Sequence, residues 1–192
     1  AALYGLLLIL PGFTFFGAAP NHVATDKKLI ALTFDDGPSG IYTPRILDIL
    51  KTHRARATFF IMGKNAGRHP AVLRRLAAEG HELGNHTYHH PFLMLKSDNF
   101  RRGEITKAAD AVFRITGSRM KYYRSPYEYR DFRLLRLLRS MGLSYISHNQ
   151  SPRDAFGESS DNIAAKIISR ARPGAIILLH DARADRSATV NA

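Results

Sequence analysis

The chain has 192 residues, 45% hydrophobic and 23% charged, enough for one domain with a substantial core and inconsistent with a disordered chain. Its formal charge of +12 favours anionic surroundings: an acidic polymer, a membrane leaflet or nucleic acid. Cysteine is absent, which excludes disulfides and thiolate metal sites and leaves His and carboxylate to hold any metal.

The chain opens on the apolar run Leu3-Tyr4-Gly5-Leu6-Leu7-Leu8-Ile9-Leu10. Pro11-Gly12, the aromatic cluster Phe13 to Phe16 and the small residues Gly17-Ala18-Ala19 follow, and no charge appears before Asp26. The stretch resembles the end of a secretory signal or a short membrane anchor, although a bilayer span needs ~20 apolar residues. The expected division is therefore an apolar signal or anchor segment with a short linker over 1–27 and a catalytic domain over 28–192. Membrane association through residues 3–19 and a location at the cell envelope or exterior are expected with it.

From Lys28 onward strand and helix patterns alternate. Leu29 to Phe34, Ala57 to Met62, Glu82 to Asn85, Lys121 to Arg124, Ser144 to His148 and Ala175 to His180 read as strands. Pro44 to Lys51, Pro70 to Ala77, Glu104 to Thr116, Phe132 to Met141 and Asn162 to Ala171 read as helices. Two of these helices have Pro in the first turn, where its missing N–H matters little, and Gly80, Gly117 and Gly142 mark helix ends. Repeated strand–helix units imply a parallel sheet, whose site-building edge lies at the carboxyl ends of the strands. Asp35-Asp36, His86, Arg124 and His180 all fall just after strands. The tail Asp181 to Ala192 reads as polar and irregular.

Two adjacent carboxylates cannot both sit unpaired, so Asp35 and Asp36 imply divided roles: one on a metal, the other a proton acceptor beside the bound water. His86 and His90 are spaced i, i+4; on a helical turn their rings would lie about 6 Å apart on one face. With one carboxylate they would complete a three-ligand site with an open position for water. His180-Asp181 closes the apolar run Ala175 to Leu179, and a polar pair ending a buried strand must be satisfied or exposed at the rim.

Thr33-Phe34-Asp35-Asp36-Gly37-Pro38, His86-Thr87-Tyr88-His89-His90, Arg124-Ser125-Pro126-Tyr127, Asp154 and Leu178-Leu179-His180-Asp181 resemble, in order and spacing, the motifs of the polysaccharide deacetylases. These are the NodB-homology enzymes of carbohydrate esterase family 4, and the resemblance covers about Lys28 to Asp181. It implies an α/β fold, a distorted (β/α) barrel of the NodB-homology type, with incompleteness expected at its C-terminal edge. It also implies metal-dependent hydrolysis of the N-acetyl group of N-acetylglucosamine units in a polysaccharide such as peptidoglycan, a chitin-like oligomer or an exopolysaccharide. By position, Asp36, His86 and His90 would hold one divalent metal, zinc by family habit. Asp35 would be the base, oriented by Arg124, and His180 the acid, its ring held by Asp154. The Tyr127 N–H would face the oxyanion, Leu178 would border the acetyl pocket, and Thr87 would brace the two histidines.

The chain departs from the family pattern where Glu128 follows Tyr127 in place of Gly, where Ala155 follows Asp154 in place of Trp, and in the short run after His180. These departures raise a second reading, a carbohydrate-binding relic without turnover. A nucleic-acid binder is disfavoured because Arg74-Arg75 and Arg101-Arg102 lack interleaved aromatics. A glycosidase is disfavoured because its two carboxylates must stand about 5–9.5 Å apart across a sugar ring.

Overall fold

Six parallel strands, in the order β5-β4-β3-β2-β1-β6, form a curled sheet in the computed structural model, which describes residues 20–192. The strands are β1 (Ala31–Asp35), β2 (Thr58–Ile61), β3 (Glu82–Asn85), β4 (Tyr122–Tyr123), β5 (Ser144–Tyr145) and β6 (Ile176–His180). The helices are α1 (Tyr42–Thr52), α2 (Gly63–Arg68), α3 (Pro70–Ala78), α4 (Asp98–Thr116), α5 (Phe132–Ser140), α6 (Ser160–Arg170) and α7 (Ser187–Asn191). Short 3-10 turns cover Pro126–Glu128 and Asp154–Phe156.

Strand β6 is buried over Ile176 to Leu179 and its neighbour β1 over Thr33 to Asp35, as expected of parallel strands covered on both faces. Between β5 and β6 the sheet is joined by a single parallel bridge, Gln150 to Ile177. The architecture is thus a distorted half-barrel of the NodB type, incomplete at that edge. Residues just before the domain also dock on it: the Ser147 N–H donates to Pro20 O (2.8 Å) and the Val23 N–H to Gly174 O (2.8 Å). The expected signal or anchor over residues 3–19 lies outside the described residues. Among those described, no helix is long and apolar enough to cross a membrane.

The helices form where sequence pattern and capping agree. In α1, Ile46, Leu47 and Leu50 are buried, and Ser39 Oγ accepts from the N–H groups of Tyr42 and Thr43. In α5, Asp131 caps the Leu134 N–H (2.7 Å) while Leu134, Leu137 and Leu138 face inward. Two apolar clusters result, one around Phe34, Phe59, Ile61 and Ile177, the other around Ile105, Tyr123 and Leu134. Each such side chain contributes roughly 1.5–3 kcal/mol on burial.

Several local expectations change. The segment from His86 to His90 is a loop, not a helical turn. Helix α4 starts at Asp98 rather than Glu104, because Ser97 caps the Phe100 N–H (3.2 Å) and draws a polar first turn into the helix. Strands β4 and β5 are two residues each, shorter than the runs read from sequence. Helix α2 has two glycines and α7 is rich in Ser and Thr, so neither carries a helical signal; packing and side-chain hydrogen bonds hold them instead.

Candidate active site

The register of β1 against β6 places Asp35 beside His180 at the carboxyl edge of the sheet. Consecutive strand residues normally face opposite ways. Here Asp36 takes a left-handed backbone (φ 79°), which turns the chain so that both carboxylates line one cavity of about 620 Å³. That conformation costs about 1 kcal/mol or more for a non-glycine residue. It is held by Asn65 Nδ2, which donates to Asp36 O at 2.7 Å. Gly37 follows because the backbone passes against Asp181: a Cβ there would lie 2.2 Å from Asp181 Oδ2.

Side chains, not helix geometry, shape the histidine loop. Asn85 Oδ1 accepts from the Thr87 N–H (2.9 Å), and Thr87 Oγ1 from the His90 N–H (3.0 Å). Glu104 Oε2 accepts from the N–H groups of Tyr88 (3.1 Å) and His89 (2.8 Å), while its Oε1 lies 2.7 Å from His89 Nδ1. His89 is thereby spent on structure. The rings of His86 and His90 finish 5.0 Å apart.

Asp36, His86 and His90 each offer a ligand atom, all within 4.8 Å of one another. Asp36 Oδ1 lies 3.6 Å from His86 Nε2 and 3.2 Å from His90 Nε2. It is buried and has no hydrogen-bond partner. Ligand atoms about 2.0–2.1 Å from one tetrahedral ion stand about 3.3 Å apart, so the set fits a divalent cation. The His86 Nδ1–H donates to Arg124 O (2.8 Å), leaving Nε2 free to ligate. Burial foremost, then His86 and Arg183, pushes the His90 pKa down to about 3, which keeps the ring neutral as a ligand must be. One neighbour competes. Arg183 Nη1 donates to His90 Nδ1 (2.6 Å) and stands 3.6 Å from Asp36 Oδ1. With Nδ1 accepting, the ring proton sits on Nε2, so ligation at Nε2 requires Arg183 to withdraw.

Asp35 is buried with its Oδ1 2.9 Å from Arg124 Nη1. Arg124 is itself fixed by Thr33 Oγ1 (2.6 Å), Ile146 O (3.2 Å), Ser147 O (3.0 Å) and the face of Phe60. Burial alone would raise the Asp35 carboxyl, but Arg124, His86 and His180 outweigh it and hold it below the ordinary range. Across the cavity, Asp154 Oδ1 lies 2.9 Å from His180 Nδ1 and its Oδ2 accepts from the His180 N–H (2.8 Å). Burial would lower the His180 pKa; Asp154, Asp35 and Asp36 reverse this and raise it. Leu178 and Tyr127 complete the lining. Tyr127 is left-handed (φ 56°), 62% exposed, with its ring edge-on to His90. Its backbone N–H donates to no described residue.

Of the site residues read from the sequence, Asp35, Asp36, His86, His90, Tyr127, Asp154, Leu178 and His180 line one cavity, and Arg124 lies buried behind Asp35. Sequence reasoning missed the supports. Thr189 Oγ1 on α7 donates to Asp154 Oδ2 (2.9 Å), and Arg186 Nη1 to Asp154 O (3.4 Å). Asp181 is fully buried beneath the site; burial first of all, against a 2.5 Å hydrogen bond from Thr43, pushes its pKa up to about 7. Glu128 Oε1 contacts His148 Nδ1 at 2.8 Å, at an angle outside hydrogen-bond geometry. Asp181 stands in the last motif and Glu128 beside the third, so their positions were visible and only their contacts were not, whereas Thr189 and Arg186 carried no signal.

A family profile described as polysaccharide deacetylase matches residues 22–146. The chain belongs to the polysaccharide deacetylase family. It is 37% identical over 155 residues to a peptidoglycan-N-acetylglucosamine deacetylase of Bacillus cereus, covering 81% of this chain and 56% of that protein. It is 35% identical over 161 residues to a chitooligosaccharide deacetylase of Azorhizobium caulinodans, covering 83% of this chain and 77% of that one. Among solved structures it resembles the Bc1960 peptidoglycan N-acetylglucosamine deacetylase with a TM-score of 0.86 at 34% identity, over 90% of this chain and 81% of that one. This polysaccharide deacetylase domain therefore spans just over half of the first relative and most of the other two.

Proposed function

We propose that this domain hydrolyses the N-acetyl group of N-acetylglucosamine units in a polysaccharide, releasing acetate, with one divalent metal, zinc, held by Asp36, His86 and His90. The observation that carries the reading is the buried, unpartnered Asp36 Oδ1 facing two imidazole Nε2 atoms, with Asp35 and His180 on the same cavity. When bound, the metal supplies Lewis-acid polarisation and a water of lowered pKa.

The chain's own groups do the rest. Arg124 occupies Asp35 Oδ1, so Oδ2 takes the proton from the attacking water. The guanidinium that aims this carboxylate also weakens it as a base, which an acidified water tolerates. The Tyr127 N–H donates to the oxygen that gains charge as the acetamide carbonyl is attacked. His180 Nδ1–H donates to Asp154, leaving the Nε2 proton for the departing amine. Leu178 gives the acetyl methyl an apolar wall. Water and amide thus become acetate and amine, with one proton taken and one returned. The apolar run over 3–19 and the basic surface support export or anchoring at the cell envelope, where such glycans lie.

The test is acetate release from a panel of acetylated glycans, with and without chelator and with zinc restored. Release that chelator abolishes and zinc recovers is expected. Full release in chelator removes the metal from the reading, and no release from any glycan leaves the binding relic.

A further inference from the structure

A second cavity of about 300 Å³ is lined by Ser151, Arg153, Lys166 and Arg170, with no acid among them. It shares Ser151 and Arg153 with the wall of the catalytic cavity, so the two adjoin along one rim. Lys166 is tethered: its ammonium pairs with Glu158 and donates to Pro152 O at 3.4 Å. The guanidinium groups of Arg153 and Arg170 are not. Both residues are exposed, and neither guanidinium makes a hydrogen bond or ion pair to a described residue, although Glu158, tied to Lys166, stands within electrostatic reach of Arg153. Arg153 holds a left-handed backbone (φ 67°) immediately before Asp154, which anchors His180. Its position is thereby tied to that of the acid.

Two guanidinium forks with all their donors unspent form a receptor for a planar anion, which each can meet with paired N–H···O bonds. At about 620 Å³ the larger cavity has room for a sugar ring, and at about 300 Å³ the smaller has room for a carboxylate substituent.

We infer that Arg153 and Arg170 form a carboxylate subsite beside the catalytic cavity, selecting glycans that carry an acidic substituent on or next to the unit being deacetylated. The inference rests on the proposed reading of the main cavity and narrows its substrate from N-acetylated glycans at large to carboxylate-bearing ones.

The test uses the full chain and three soluble oligomers: a neutral N-acetylglucosamine oligomer, an acidic one bearing carboxylates on alternate sugars, and the same acidic oligomer with its carboxylates reduced to alcohols. Affinity is measured by calorimetry and acetate release separately. Wild type is expected to bind the acidic oligomer about tenfold more tightly than its reduced form, the size of one or two charge-assisted hydrogen bonds. Arg170→Gln should shrink that ratio, and Arg153→Gln with Arg170→Gln should bring it to about one and flatten its salt dependence. A wild-type ratio near one overturns the subsite, as does a ratio that survives in the double variant. Because binding is read apart from turnover, a protein that shows the ratio and releases no acetate refutes the proposed reaction and leaves the subsite standing.

Discussion

Asp154 grips His180 twice, at the ring Nδ1 and at the backbone N–H, and is itself held by Thr189 from the last helix. Asp154→Asn keeps the shape but can no longer stabilise the imidazolium. The raised His180 pKa should fall, so the alkaline limb of the kcat profile moves to lower pH, and kcat should drop about 10²–10⁴-fold. A pH–rate profile of the variant with unchanged limb and rate would remove His180 from the acid role.

Asp35 and His86 should separate under substitution. Asp35→Asn retains the metal and loses about 10²-fold or more of turnover, since only the proton acceptor is gone. His86→Ala loses metal as well as turnover. Metal stoichiometry by elemental analysis, beside acetate release, reads both; equal metal loss in the two variants would contradict the division.

Arg183 donates to His90 Nδ1 and must move before His90 Nε2 can ligate. Arg183→Ala should tighten zinc binding about tenfold, the worth of one charge-assisted hydrogen bond. A zinc titration against a competing chelator reports this without any turnover.

Asp131 meets Arg101 through two 2.9 Å contacts and accepts from the Tyr129 hydroxyl (2.5 Å). Burial would raise its pKa, but these partners and the Leu134 N–H hold it below the ordinary range. Because the folded value lies below the unfolded one, this stability is present above about pH 4 and is lost as pH falls through the folded value. Asp131→Asn keeps the helix cap but leaves Arg101 unpaired, costing about 3 kcal/mol near neutrality. Urea unfolding from pH 7 to pH 3 should show the difference from wild type shrinking at the acid end.

Glu128 stands in the left-handed region (φ 55°). Glu128→Gly and Glu128→Ala both remove the contact to His148, yet only glycine relaxes the backbone. The glycine variant should be the more stable by about 1 kcal/mol in denaturant unfolding. Equal stability would show that this turn carries no strain.

The alternation of buried strands and amphipathic helices was legible because parallel strands covered on both faces read as apolar runs, as β1 and β6 do. The site residues were legible because they follow those strands. The conformation around them was not. His86 and His90 have helical spacing, yet their loop is held by Asn85, Thr87 and Glu104, contacts that depend on tertiary partners from β3 and α4. The same holds for α7: its serine and threonine read as part of a polar tail, and its value lies in reaching back to Asp154. The seating of Asp36 was hidden too, since positive φ at an aspartate leaves no trace in composition.

Asp35 and His180 occupy the same rung of neighbouring strands, so neither rides on a connecting segment. The spacing of the two backbones is therefore a property of the ladder itself, near the ~4.8 Å interval of any sheet, while Arg124 and Asp154 aim the side chains. The segments that carry His86, His90, Tyr127 and Asp154 cannot be exchanged without losing the site, so any regrafting of the cleft has to spare them and confine itself to the connections that bear none of these groups.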